Sequence, residues 1–160
     1  MTEAFIALGS NLGDARAQVL SAFDALASLP GTQLIARSQL YRTPPWGVLD
    51  QPSFVNAVAL VETTLAPHEL LNALLAIERA AGRVRDGERW GPRTLDLDVL
   101  HMDAMVMSDE RLSLPHPRIH ERAFVLLPLH DLAPDLVLPG QGRVMDLLAA
   151  LDVAGCERLP

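Results

Sequence analysis

Lysine is missing from this chain altogether: all 13 basic residues are arginine. Without lysine there is no P-loop of the Gly-x4-Gly-Lys-Ser/Thr kind and no Schiff-base chemistry. Any phosphate must then be held by arginine forks, histidine, backbone amides or metal. Cysteine is almost as scarce, for Cys156 stands alone, which excludes an internal disulfide and a cysteine-built zinc site. Positive charge is in deficit overall: the formal net charge is -7 and the pI about 5.1. The dense cationic surface that drives non-specific duplex binding is therefore absent. No apolar run approaches the ~18 residues needed to span a bilayer. Met1 to Leu8 carries no basic region, long apolar segment or cleavage site, so no signal peptide is expected. These absences predict a cytoplasmic protein with neither a membrane nor nucleic acid as partner.

What is present suits one globular domain over residues 1–160: 49% hydrophobic and 21% charged residues in a length that buries roughly 70% of its extended surface. Glu3 to Leu8 alternates as a first strand, and Gly9-Ser10-Asn11 reads as a turn. Asn11 or Asp14 can cap a helix that carries Val19, Leu20, Phe23, Leu26 and Ala27 and ends at Pro30-Gly31. Leu34 to Tyr41 reads as a second strand, followed by a proline-stiffened loop, Thr43-Pro44-Pro45-Trp46-Gly47 and on to Pro52. Phe54 to Val61 is a third strand with Phe54, Asn56, Val58 and Leu60 on one face. Pro67 opens a second helix with Leu70, Leu71, Leu74, Leu75 and Ile77 on its apolar side, and Gly82 closes it.

The order strand, helix, strand, strand, helix, strand predicts an α+β fold. Its core is ferredoxin-like βαββαβ, an antiparallel sheet with helices on one face. A C-terminal extension adds a hairpin near Met105 to Leu114 and helices around Arg118 to Leu132 and Val144 to Leu151. The sheet face away from the first two helices is expected to be free for ligands.

The stretch Arg89-Trp90-Gly91-Pro92-Arg93-Thr94-Leu95-Asp96-Leu97-Asp98-Val99-Leu100 carries the most chemical information. In a strand, side chains two apart share a face, so Asp96 and Asp98 point one way and Leu95, Leu97 and Val99 the other. Two carboxylates about 6–7 Å apart along a strand suit a hard divalent cation, which keeps its remaining positions for water and phosphate oxygens. Arg79, Arg83, Arg85, Arg89 and Arg93 crowd the preceding segment. A bare metal would repel them; a polyanion between them and the metal would not. The pattern points to a metal–polyphosphate site.

Taken with Gly9-Ser10-Asn11, Tyr41-Arg42-Thr43-Pro44-Pro45, Phe54-Val55-Asn56, Gly82-Arg83-Val84-Arg85 and Pro115-His116-Pro117, this stretch resembles the signature of the 6-hydroxymethyl-7,8-dihydropterin pyrophosphokinase family. The resemblance runs in order through nearly the whole chain. It implies transfer of pyrophosphate from ATP to the pterin's hydroxymethyl group, with release of AMP, in folate biosynthesis. It further implies two Mg2+ ions on Asp96 and Asp98, with Arg83 and Arg93 catalytic beside them. ATP would be bound by Arg83, Arg85, Arg93, Arg111, Ser113, His116 and Arg122. The pterin would lie between Trp90 and Phe124, lined by Phe54, with Asn56 and the chain at Thr43, Pro44 and Trp46 reading its edge. Leu75, Pro117 and Trp46 depart from side chains common in the family. A monomer acting on two small molecules is expected.

Two other readings fit parts of the pattern. A palm-like nucleotidyltransferase also pairs aspartates with two metals, but it releases pyrophosphate rather than AMP. A non-catalytic ferredoxin-like nucleic-acid binder would want exposed basic and aromatic sheet residues, against which the net acidity counts.

Overall fold

Alternating and helical periodicities become seven elements that build the main sheet and its backing: β1 (Thr2–Ser10), α1 (Ala15–Ala27), β2 (Thr32–Arg37), β3 (Tyr41–Thr43), β4 (Phe54–Thr63), α2 (Pro67–Ala80) and β5 (Asp96–Met102). The structure, a computed structural model, describes residues 1–44, 52–82 and 95–160. Asp14 caps α1 by accepting the Ala17 N–H at 3.1 Å. At the start of α2 the Glu69 carboxylate reaches back to the Ala66 N–H at 2.8 Å, satisfying a donor the helix itself cannot.

β1 is central, antiparallel to β4 on one side and to β5 on the other. β2 and β3 both pair with β4, completing the ferredoxin-like order. α1 and α2 lie on one face. There Val19, Phe23, Leu26, Leu70 and Leu74 meet Ala4, Ile6 and Leu8 of β1, Ala57, Ala59 and Val61 of β4, and Leu95, Leu97 and Val99.

The strand expected over Leu34 to Tyr41 is two strands. Ser38 replaces a backbone rung with its side chain: its N–H donates to the Val58 carbonyl and its Oγ accepts the Val58 N–H, both at 2.9 Å. The register slips there, from Arg37 opposite Ala59 to Tyr41 opposite Asn56. Gly9 and Ser10, expected in a turn, instead continue β1, paired with Asn56 and Val55.

After β5 come the short hairpin β6 (Met107–Ser108) and β7 (Ser113–Leu114), a 3-10 turn (Ile119–Glu121) and α3 (Ala123–Leu132). Then follow β8 (Val137–Leu138), β9 (Gly142–Arg143), α4 (Val144–Ala149) and β10 (Glu157–Arg158). The helix expected from Arg118 is broken at Arg122, whose extended backbone (φ -118, ψ 97) separates the 3-10 turn from α3. β10 was not foreseen; it pairs with β3 at the sheet edge.

The face expected to be free is half covered. Val125, Leu126 and Leu129 of α3 pack on Phe5, Val58 and Leu100, with Val144 of α4 and Leu138 closing the same cluster. The apolar residues at that end of the face could not have stayed in water without cost. The other end, around Gly9, Asn56 and Asp96, stays uncovered by α3. At the helix's far end Tyr41 donates its hydroxyl proton to Asp131, 2.9 Å from each carboxylate oxygen. Burial and that bond push the Tyr41 hydroxyl up to about 12. No helix among the described residues is long and apolar enough to cross a membrane.

Tyr41→Phe should lower stability by about 1–2 kcal/mol through the lost bond to a charged acceptor. The loss should largely vanish in an Asp131→Ala background, as read by urea unfolding in a double-mutant cycle; additive losses would deny the contact.

Candidate active site

The second sheet face hollows where the central strand carries almost no side chain. Phe5 fills the covered end, but Ala7 and Gly9 follow at the next same-face positions. Gly9 is flanked by Asn56 on β4 and Asp96 on β5, and Ala7 by Val58 and Asp98. A cavity of about 230 Å3 results. At Gly9 a Cβ would sit 2.7 Å from the Asn56 Oδ1, so glycine is needed both for the hollow and for the amide's place.

Asp96 and Asp98 line this cavity together, on one side, while Leu95, Leu97 and Val99 are buried in the helix-backed core. Among the described residues no cluster of three or more His, Cys, Asp or Glu side chains is arranged to hold a metal. Two carboxylates beside open volume fit a cation that brings water and phosphate as its other ligands, as Mg2+ does, and do not fit an all-protein cage.

The cavity gathers Thr43, Pro44, Phe54, Asn56, Asp96, Asp98, His116, Arg122 and Phe124, every one singled out from sequence. Asn56 Nδ2 donates to Thr43 Oγ1 at 2.7 Å, which fixes the amide with its Oδ1 toward Gly9. Phe54 and Phe124 add aromatic surface, and the Arg122 guanidinium lies 5.7 Å from the Phe124 ring centre. Arg122 Nε is buried without a hydrogen-bond partner among the described residues, a state that an anionic ligand would relieve.

His116 is anchored by its N–H to the Leu100 carbonyl at 2.8 Å. Its Nδ1 accepts the Arg118 N–H at 3.1 Å, so the neutral ring carries its proton on Nε2. Burial, with Arg122 and Arg118 alongside, holds the imidazole down at about 4 against the opposing pull of Asp96. The ring is therefore an uncharged donor at neutral pH.

Arg111 and Ser113 are not brought to the cavity. They belong to the β6–β7 hairpin, where Arg111 bonds Asn72 of α2 and Ser113 meets Ser108 at 3.0 Å. That hairpin is also tied to α2 by the His68–Asp109 contact at 2.8 Å. Trp46, Arg83, Arg85, Trp90 and Arg93 lie outside the described residues. Sequence reasoning missed Glu78, only 2% exposed, which accepts the Leu97 N–H at 2.7 Å. It therefore holds the backbone between the two aspartates at the sheet edge. The available signal was a glutamate continuing the Leu70, Leu74 stripe four residues on.

Comparison with known proteins bears on the family and the fold. The family model for 7,8-dihydro-6-hydroxymethylpterin-pyrophosphokinase (HPPK) matches residues 5–134. The chain is 52% identical over 159 residues to the 2-amino-4-hydroxy-6-hydroxymethyldihydropteridine pyrophosphokinase of Methylorubrum extorquens, covering 99% of each. It is 54% identical to the protein of the same name from Pseudomonas aeruginosa, covering 98% of this chain and 96% of that one. Among solved structures, Plasmodium falciparum HPPK-DHPS with pteroate superposes with a TM-score of 0.74 at 15% identity. That likeness covers 93% of this chain but 42% of the other, and it speaks to the fold alone.

Neutral His116 contributes stability that is complete above about pH 6.5 and is lost as pH falls toward 4. Unfolding at pH 7 and pH 4.5 should show wild type losing about 2–3 kcal/mol more than His116→Gln over that interval. His101, also lowered by burial, is common to both proteins and cancels. Parallel losses would contradict the assignment. Separately, Gly9→Ala should displace Asn56 and cost about 1–3 kcal/mol of stability, measured by thermal unfolding; an unchanged melting curve would contradict the close approach.

Proposed function

The chain belongs to the 7,8-dihydro-6-hydroxymethylpterin-pyrophosphokinase family, and we propose that its cavity is where that family's reaction takes place. The protein is a pyrophosphokinase of folate biosynthesis: it transfers pyrophosphate from ATP to the hydroxymethyl group of 6-hydroxymethyl-7,8-dihydropterin and releases AMP. One observation carries the placement. A carboxylate pair, an uncharged imidazole donor and an arginine whose Nε has no partner among the described residues share a single hollow with a pinned amide and two phenyl rings.

The hollow has two chemical ends. At one, Asn56 and the Thr43–Pro44 chain suit the polar rim of a flat heterocycle, and Phe54 and Phe124 suit its faces. At the other, Asp96 and Asp98 would hold Mg2+, two ions by the family resemblance. Bound there, the metal neutralises charge on the phosphates and so favours attack at phosphorus. Arg122 and His116 would bind phosphate oxygens, one as a fixed cation and the other as a neutral donor that leaves the aspartates' charge for the metal. Arg83, Arg85 and Arg93 are proposed as further phosphate ligands, with Arg83 and Arg93 acting in the transfer. Trp90 would cover the pterin opposite Phe124, and Trp46 would read its edge. The connection carrying these arginines runs from Gly82 to Leu95, next to Asp96, which supports their nearness to the same phosphates. Arg111 and Ser113, on the hairpin beyond β5, are proposed to meet the far, nucleoside part of ATP.

The chain's own contribution to rate is placement. Transfer needs the hydroxymethyl oxygen in line with the phosphorus and charge neutralised around it, with little covalent help. The protein is proposed to act as a monomer.

Incubating the protein with ATP, Mg2+ and the hydroxymethyl dihydropterin should yield AMP and pterin diphosphate in equal amounts. Pyrophosphate release instead would point to a nucleotidyltransferase. Asp96→Ala and Asp98→Ala should each lower turnover by at least about 10²–10³-fold with circular dichroism unchanged. An active Asp98→Ala enzyme would overturn the metal assignment.

A further inference from the structure

His116 and Arg122 reach the cavity from a segment with little regular structure of its own. The regular structure between them is the three-residue 3-10 turn Ile119–Glu121. Backbone pairing fixes one end, His116 N–H to the Leu100 carbonyl, and burial fixes the middle, Ile119 being fully enclosed. The His116 carbonyl and the His120 N–H and ring meet one side chain, far away in sequence. Gln141 Nε2 donates to the His116 carbonyl at 2.8 Å. Its Oε1 accepts the His120 N–H at 3.0 Å and meets His120 Nδ1 at 3.1 Å. Because the Oε1 can only accept, the contact suits the ring tautomer with its hydrogen on Nδ1. A single amide thus spans both ends of residues 116–120 with its donor and its acceptor in use.

Gln141 is itself held in place. It occupies the turn between β8 and β9, its N–H bonded to the Leu138 carbonyl at 2.9 Å. Gly140 and Gly142 on either side have φ +77 and +132, conformations open to glycine and strained for other residues. Leu138 and Val144, just before and after this turn, are fully buried in the cluster under α3. The turn is therefore anchored to the packed cluster at both ends, and its glutamine side chain bonds to the site segment.

We propose that Gln141 is a positioning residue for the phosphate end of the site: it sets the height and direction of His116, and through the 3-10 turn that of Arg122. It is not among the described residues that line the cavity. The claim rests on the reading that His116 and Arg122 meet the triphosphate. Asn56, Thr43 and Phe54 hang on β3 and β4, with no bond to Gln141 among the described residues, and only Phe124 on the pterin side adjoins Arg122, so the larger effect falls on ATP.

Three variants test it: Gln141→Leu removes both functions of the amide, Gln141→Asn shortens it by one methylene, and Gln141→Glu keeps the acceptor for His120 but loses the donor to His116. Gln141→Leu should raise the KM for Mg-ATP about tenfold, the worth of roughly one well-placed hydrogen bond, and leave the KM for the pterin within about twofold of wild type. Gln141→Asn should behave as Gln141→Leu, and Gln141→Glu should fall between. Nitrogen NMR of the ligand-free protein supplies a readout independent of turnover. Wild type should show His116 protonated on Nε2 alone, and Gln141→Leu should show a mixture of tautomers. Equal rises in both KM values, or a lowered melting temperature with unchanged kinetics and an unchanged His116 signal, would overturn the proposal. A wild-type protein that makes no AMP would overturn the functional reading, and the His116 signal would then decide the positioning claim by itself.

Discussion

The site depends on the two-residue alternation of β5. Leu95, Leu97 and Val99 are committed to the core under α1 and α2, each burial contributing roughly 1.5–3 kcal/mol. That commitment leaves Asp96 and Asp98 no side but the other one. A slip of one residue would drive both carboxylates into the leucine core and expose the leucines, so the register is fixed far more firmly than any single contact at the site would fix it. Glu78 adds a local restraint, closing the open edge of β5 between the two aspartates. The charged face is thus a by-product of apolar packing on the reverse of the same strand.

The same face serves as core and as site, divided by side-chain size. Large residues at one end, Phe5, Val58 and Leu100, call for a cover, and α3 supplies it. Small ones at the other, Ala7 and Gly9, leave room that α3 does not enter. The break at Arg122 makes this division possible. A continuous helix from Arg118 would have carried its first turn along a single axis; the extended residue instead lets the 3-10 turn and α3 take different directions. Arg122 and Phe124 then stand at the boundary, where packed core gives way to cavity. Tyr41 and Asp131 secure the far end of α3 to β3, the strand that also carries Thr43.

Much of this was legible because it was local. The alternation in β5 and β4, the stripe on α2 and the Asp14 cap each show within a dozen residues, and the arrangement of strands and helices follows from their order. Seven of the nine side chains gathered in the cavity lie in the quoted motifs, Arg122 and Phe124 were named through the family resemblance alone, and that resemblance supplied roles that spacing by itself does not. What escaped was set by distant contacts. Nothing near Ser38 announces that its hydroxyl will take over a rung opposite Val58. Gly9 reads as a turn residue until Asn56 is placed across from it. The cover on the second face follows from the covered residues' size, yet β1, β4 and β5 each contribute too little to signal it separately. Gln141 lies 25 residues from the carbonyl it holds, and a glutamine in a glycine-flanked turn looks like surface. Arg111 and Ser113, expected to bind ATP, belong to a hairpin against α2 and do not line the cavity, a placement that strand order alone does not give.

Calorimetric binding of a non-hydrolysable ATP analogue, with and without Mg2+, tests the central claim most directly. If Asp96 and Asp98 together present the metal to the triphosphate, wild type binds the analogue tightly only with Mg2+, and the Asp96→Asn, Asp98→Asn double variant binds weakly and indifferently to it. A double variant that keeps the full Mg2+ dependence would contradict the account.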